Sequence, residues 1–437
     1  MGDVRLMTLD PGHFHAALVQ KFMVPGSSNQ ADVYAPLGPD LIGHLGRIAA
    51  FNGRKDKPTD WRVEVHTGPD YQERMFRERP GNVVVLSGRN DLKIDRIKAA
   101  VEAGLHVLAD KPWIISSADL PKLEPALETA ERKGLVAYDI MTERFEITSV
   151  LQGALMRDAD VFGAQLPGTP AEPGVFMESV HYLMKLVAGV PNRRPPWYFD
   201  VHRQGEGLND VGTHLVDLVQ WQLFPEQALD PARDLVLLQA GRKPTIIPLE
   251  GFRKVTGEAE FPESVRGALR DGALAYYCNT DISYALRGVH VKLNVLWDFE
   301  QPMSDGDKHF ASYRGTKSRI EVRQTREQNF KPELYVVPNE ASRRSEIGAA
   351  LQKRVAALEK QHAGIALRDA GAEFRVEIPD AHRKGHEAHF TAVLERFLGY
   401  LRDPRSLPAW EKSTMLVKYA TTNRGVDLAR KVSAPAP

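Results

Sequence analysis

Two short stretches hold the residue types that proton transfer and oxyanion stabilisation require. In the first, Asp210, His214 and Asp217 recur at intervals of four and three residues, the spacing that stacks side chains on one face of a helix. A carboxylate one turn from an imidazole orients the ring and raises its basicity, as a general base needs. The plainer alternative is a helix with a capping Asp and a buried His. The second stretch is Asp110-Lys111-Pro112, which closes an apolar run. An ammonium there would donate to an oxygen that gains charge, and burial would lower its pKa enough for proton exchange.

These residues need elements to position them. Residues 83–86, Val-Val-Val-Leu between Gly81 and Gly88, have the pattern of a strand buried on both faces. Ile94, Ile97 and Val101 then mark one helical face, Gly104 supplies a left-handed stop, and residues 105–109 form a second apolar run. Strand, helix and strand make a βαβ crossover and imply a parallel sheet covered by helices. Ligands of such sheets bind at the carboxyl ends of the strands, where Lys111 stands.

The chain opens in the same style. Residues 4–9 read as a strand, followed by Asp10-Pro11-Gly12-His13-Phe14-His15 and a helix running to Phe22. A dinucleotide turn has the pattern G-x-G-x-x-G, and here only the middle glycine, Gly12, is kept. That glycine lets the backbone approach a pyrophosphate. Residues 33–35 read as the second strand, and Asp40 is the candidate ribose carboxylate, or else the cap of the helix that follows. His13 and His15 invite a metal reading, but no third ligand is near in sequence, so no metal is expected. Beyond about residue 140 the alternation of helix and strand stops. Strand-like runs at 235–239, 274–286, 289–299 and 319–323 suggest an open antiparallel sheet, and residues 386–401 and 410–432 suggest two closing helices. The expected fold is therefore α/β: a Rossmann dinucleotide-binding domain over residues 1–140, then an α+β domain over 141–437 with a large, open, mostly antiparallel sheet.

Bulk properties remove several function classes. The 57 basic and 57 acidic residues cancel, so nothing favours nucleic acid or an anionic membrane. One cysteine, Cys278, excludes an internal disulfide and any multi-cysteine metal site. No apolar run would span a bilayer. No signal-like segment opens the sequence, which makes a cytoplasmic location the default and a periplasmic one the case if a leader has been removed.

Residues 90–93, Asn-Asp-Leu-Lys, with Ala103-Gly104-Leu105-His106-Val107 and Asp110-Lys111-Pro112, resemble the signature of the Gfo/Idh/MocA oxidoreductases, with Lys93 where His is common and Asp110 in place of Glu. The run from Gly205 to Asp217 is similar to the family's second motif, with Glu206 interrupting the usual glycine pair. The resemblance implies an NAD(P)-dependent dehydrogenase of sugars or polyols, with Lys111, Asp210 and His214 beside the substrate. His214 would be the base, Asp210 its orienting partner, and Lys111 the donor to the reacting oxygen. The dinucleotide turn places the coenzyme at Asp10, Gly12, His13 and Phe14 and at Asp40, and the absence of an arginine directly after the second strand favours NAD over NADP. Ser87, Asn90, Asp110, Lys111 and Arg144 would complete that site. Residues 178–203 read as a substrate loop, aromatic and basic as a carbohydrate ring requires; His181, Tyr182 and Trp197 are its candidates, together with Lys111, Asp210 and His214. A homo-oligomer, dimer or tetramer, is expected. Two rivals keep the fold: an NAD-dependent glycosidase working by transient oxidation, elimination and re-reduction, and a non-catalytic NAD-binding scaffold.

Overall fold

The computed structural model describes residues 4–187 and 190–433. The apolar tracts of the first part fold as six strands: β1 (Val4–Leu9), β2 (Ser27–Tyr34), β3 (Arg62–His66), β4 (Val83–Leu86), β5 (His106–Asp110) and β6 (Ala137–Ile140). They pair in parallel in the order β3-β2-β1-β4-β5-β6. The order reverses between β1 and β4, which opens a crevice at their carboxyl ends. The helices are α1 (His15–Leu18), α2 (Pro39–Gly53), α3 (Tyr71–Glu78), α4 (Lys93–Glu102) and α5 (Leu120–Arg132). Ile94, Ile97 and Val101 of α4 and Leu123 and Leu127 of α5 share one core with Val84, Leu86 and Val107 of the sheet. Gly104 follows α4 at φ 82°, a conformation that costs any other residue more.

Two expectations change. The helix read to Phe22 stops at Leu18: Gln20 N and Lys21 N bond three residues back, to Ala17 O and Leu18 O, in a tightened last turn, and Gln20 O and Lys21 O accept from Trp61 Nε1 at 2.7 Å and Arg54 Nη2 at 2.5 Å. The second strand is eight residues long, not three, and its first half is the polar Ser27-Ser28-Asn29-Gln30. Backbone pairing to β1 recruits residues that propensity alone would leave in a loop.

The chain divides into two compact units: Met1–Thr142 with Pro195–Gly205 and Gly385–Tyr419, and Glu143–Arg194 with Glu206–Lys384 and Ala420–Pro437. A single cut near residue 140 misses the two segments that return to the first unit. They return through bonds between residues far apart in sequence: Asn90 N donates to Arg203 O at 2.8 Å, and the Phe390 ring packs 4.6 Å from that of His15.

The second unit is built on a ten-stranded sheet, in which the short strand Leu269–Arg270 pairs with Ala273–Leu286 off the main path. Its path runs Leu235–Ile247, Ala273–Leu286, Val289–Glu300, Val175–Met184, Lys308–Arg314, Ser318–Gln324, Glu333–Pro338, Phe374–Glu377 and Ala366–Asp369. Only the pair Val289–Glu300 and Val175–Met184 is parallel along this path. The helices Ile147–Met156 and Val211–Leu223 pack against the sheet, with Gln152 Nε2 on Ile320 O at 3.2 Å and Tyr313 OH on Leu218 O at 3.3 Å. Residues 339–372 are charged and Ala-rich, yet the helix they contain, Arg344–Glu359, buries Ile347, Leu351 and Val355.

Candidate active site

In the first unit the turn after β1 meets the loop after β4. Asp10, at the position of the first glycine of a dinucleotide turn, takes φ 48°; aspartate tolerates this left-handed backbone better than most residues. The two loops touch closely enough that a Cβ on Gly88 would lie 2.6 Å from Asp10 O and 2.9 Å from Gly12 N. A Cβ on Gly12 would lie 3.1 Å from the Trp197 ring and 3.4 Å from Asp40 Oδ2. Glycine is thus required at Gly88 for close backbone approach, while at Gly12 a larger side chain would press on Trp197 and Asp40. The topological reversal, the glycine cradle and the Arg89 guanidinium beside it fit a dinucleotide, with Gly12 and Arg89 the residues that would hold its phosphates.

The expected coenzyme residues fall into separate groups. Asp10 is paired with Arg89 (3.1 Å) and Arg96 (2.9 Å). Asp40 lies in the first turn of α2 without capping it, and accepts from Arg89 Nη2 at 2.7 Å. Burial raises its pKa, opposed by Arg89. Phe14 is exposed. Asn90 donates through Nδ2 to Gln204 O at 2.7 Å.

A second group gathers at the ends of β4 and β5. Asp110 Oδ2 lies 2.9 Å from Ser87 Oγ, 2.9 Å from His15 Nδ1 and 3.5 Å from His13 Nδ1. Burial works to raise this carboxyl, but His15 and His13 outweigh it and hold it well below the carboxylate range. Burial, with His13 next to it, depresses His15 well below the usual imidazole value, so a neutral His15 donates its Nδ1 proton to the carboxylate. The fold thereby supplies the third donor that the sequence lacked for a His13–His15 metal site. Its carboxylate already serves as acceptor to the residues around it. Lys93, fully buried, adds positive charge nearby: Nζ donates to Asn90 Oδ1 at 2.6 Å and to Asp110 O at 2.8 Å. Burial lowers its pKa to about 8, with Asp110 and Asp139 opposing. Lys93 thus ties the Asn90 turn to the peptide that leads into Lys111, a role no feature of its sequence position revealed. Tyr419 OH and Lys418 Nζ hold Asp139 at 2.7 and 2.9 Å.

In the second unit Asp210 stands at the N-cap of the helix Val211–Leu223 without a capping bond from its side chain, and His214 follows one turn on, both half-buried. The residues before them are fixed from below. Gly207 N donates to Tyr277 O at 3.2 Å, and Glu206 accepts from Arg242 (2.6 Å) and Arg430 (2.8 Å). The Glu206 that interrupts the glycine pair is therefore a buried anchor of the turn. Asp217 does not extend the Asp210–His214 pair: it holds Arg144 in a bidentate bond at 2.6 and 2.7 Å, both side chains 2% exposed. Arg144, expected at the coenzyme, forms this buried pair.

Residues 178–203, expected as one loop, begin as strand Val175–Met184 and end in the other unit. Consecutive strand residues point to opposite faces, so His181 and Tyr182 part company. His181 lies 2.9 Å from Ser179 Oγ, 3.4 Å from Asp307 and 4.8 Å from the Trp297 ring. Tyr182 is buried with its OH 2.5 Å from Asp305. Lys185 also pairs with Asp307, and His309, which burial pushes down to about 4, lies within the same strand register. Trp197 belongs to the first unit, against Gly12. Among the described residues no helix is long and apolar enough to cross a membrane.

A family model described as "Putative oxidoreductase C terminal domain" matches residues 151–430. No curated protein matches the chain. A crystal structure described as "a putative oxidoreductase from Parabacteroides merdae" is 45% identical over 99% of this chain and 98% of its own, with a TM-score of 0.96. The fold is also that of levoglucosan dehydrogenase in complex with NADH and levoglucosan (TM-score 0.59, 13% identity, 98% and 97% covered). It is shared too by KijD10, a 3-ketoreductase from Actinomadura kijaniata in complex with NADP and TDP-benzene (0.55, 14%, 97% and 97%). With a family model spanning more than half of its length and a parallel sheet that carries the Asp110-Lys111-Pro112 motif at a strand end, the chain belongs to the Gfo/Idh/MocA-type oxidoreductases.

Proposed function

We propose that the protein is an NAD(P)-dependent oxidoreductase that interconverts a hydroxyl and a keto group on a sugar, glycoside or polyol. The observation that carries this is the reversal of strand order at β1 and β4, with Gly12 in the crevice and Lys111 immediately after β5. Fold relatives bound to NADH with levoglucosan, and to NADP, point to the same class of reaction. The coenzyme supplies hydride transfer. His214 takes the hydroxyl proton and Asp210 orients it; Lys111 donates to the reacting oxygen and offsets its developing charge. His181, held between Ser179 and Asp307, offers the substrate a polar contact on the second unit. The large sheet carries exposed Val236, Leu238, Ile246 and Leu296, apolar area suited to pairing two copies.

One observation favours a redox-neutral variant, in which a glycoside is oxidised, loses its aglycone and is reduced back. The segment Pro195–Gly205 lies over the ends of β1 and β4, with Trp197 against Gly12 and Arg203 and Gln204 bonded to Asn90. Such a cover suits a coenzyme that stays bound between half-reactions. Incubation with a panel of glucosides, hexoses and inositols, following both NADH and sugar products, separates the two: keto-sugar with net NADH, or free sugar without it. Lys111→Ala and His214→Ala should each lose roughly 10²–10⁴-fold in turnover, and adding Asp210→Asn to His214→Ala should cost little more. Full activity in both single variants would remove the assignment.

A further inference from the structure

The crevice that suits a dinucleotide lacks the usual means of holding its charge. Two of the three glycines of the turn are replaced, and the helix behind it is a single turn, His15–Leu18, so the field of aligned peptide dipoles is weak. What stands beside Gly12 instead is a guanidinium with two carboxylates. Arg89, in the loop after β4, donates through Nη1 to Asp10 Oδ1 at 3.1 Å and through Nη2 to Asp40 Oδ2 at 2.7 Å. Its carbon lies 5.5 Å from the centre of the Trp197 ring, the ring that borders Gly12. Arg96, buried, holds the other oxygen of Asp10 at 2.9 Å.

Two arginines and two aspartates leave this cluster electrically balanced. A pyrophosphate would bring two further negative charges, and Arg89 could pair with them only by giving up a carboxylate it now holds. The two aspartates differ in what happens then. Asp10 keeps Arg96 if Arg89 turns away. Asp40 faces Arg89, Asp10 and the Trp197 indole, and among the described residues its ion pair is with Arg89. The planar fork of an arginine matches phosphate oxygens as well as it matches carboxylates.

We propose that Arg89 is the phosphate-binding cation of the coenzyme site and that Asp40 is its latch, holding the guanidinium beside Gly12 until a dinucleotide displaces it. The proposal rests on the dinucleotide reading above and gives Asp40 a role other than ribose recognition. Left without Arg89, Asp40 would sit next to a phosphate, so binding draws a proton onto its carboxyl. Affinity for a phosphate-bearing ligand then falls as pH rises through the range in which Asp40 titrates, and stays flat for a ligand without phosphate.

Calorimetric titration of the full chain with NADH, ADP-ribose and adenosine tests this. Arg89→Met should weaken ADP-ribose binding by roughly 10- to 100-fold, the worth of a charge-assisted bidentate contact, and leave adenosine unchanged. Arg89→Lys should recover only part of the loss, since a point charge lacks the fork. Asp40→Asn should tighten ADP-ribose binding and abolish its pH dependence. Melting curves show whether each variant is folded. Unchanged ADP-ribose affinity in Arg89→Met, or equal losses for ADP-ribose and adenosine, overturns the role of Arg89. Weaker binding in Asp40→Asn overturns the latch and returns Asp40 to the ribose. If the wild type binds none of the three ligands, the dinucleotide reading itself falls and takes the latch with it.

Discussion

The buried pair Arg144–Asp217 separates a structural from a coenzyme-binding arginine. Both side chains are 2% exposed and share two bonds of 2.6 and 2.7 Å. Arg144→Met removes the cation and leaves a carboxylate in a place water does not reach. Breaking one side of such a pair costs roughly 3–5 kcal/mol, which for a unit of this size lowers the melting temperature by on the order of 10 °C. Asp217→Asn should cost less, because the amide still accepts one of the two bonds. The double variant Arg144→Met with Asp217→Leu should recover most of the loss, since an apolar pair of similar volume desolvates nothing. The assay is thermal and urea unfolding of the four proteins beside titration with NADH. If Arg144→Met keeps the wild-type melting temperature but loses coenzyme affinity, the side chain serves the coenzyme and this reasoning is refuted. Additive losses in the double variant would refute the pairing.

Two further outcomes follow from the same geometry. Gly12→Val should reduce NADH affinity by at least tenfold while the protein remains folded, because the new side chain meets Trp197 and Asp40 where the phosphate would approach; titration checks it, and unchanged binding removes Gly12 from the site. Burial, with Glu143 nearby, pushes Glu146 up to about 7 from 4.5. A carboxyl raised in the folded state stabilises while protonated, so its contribution is complete below about pH 4.5 and is lost as pH rises toward 7. Glu146→Gln should therefore flatten stability across that window and gain about 1–2 kcal/mol at pH 8, after discount for partial exposure; urea unfolding at pH 5 and 8 measures it, and parallel curves for the two proteins would refute it.

The sequence by itself determined the parallel sheet. Apolar runs such as 83–86 and 107–109 leave no polar face, so they must be buried on both sides, and the helical stripe of Ile94, Ile97 and Val101 supplies one cover. The same argument puts Lys111 after a strand end, and the four-residue spacing puts His214 one turn from Asp210. Tertiary structure alone decided which charges meet. Arg144 and Asp217 are 73 residues apart, Arg89 and Asp40 49, and His15 and Asp110 95. Nothing local distinguishes an arginine destined for a buried carboxylate from one facing a ligand, because the deciding energy is desolvation at a position that only packing creates. For the same reason Trp197 read as a carbohydrate-stacking ring until the fold carried its segment back against Gly12. Periodicity records how each element meets a core. Which loop ends converge depends on how the strands are ordered, and a local pattern holds no record of that.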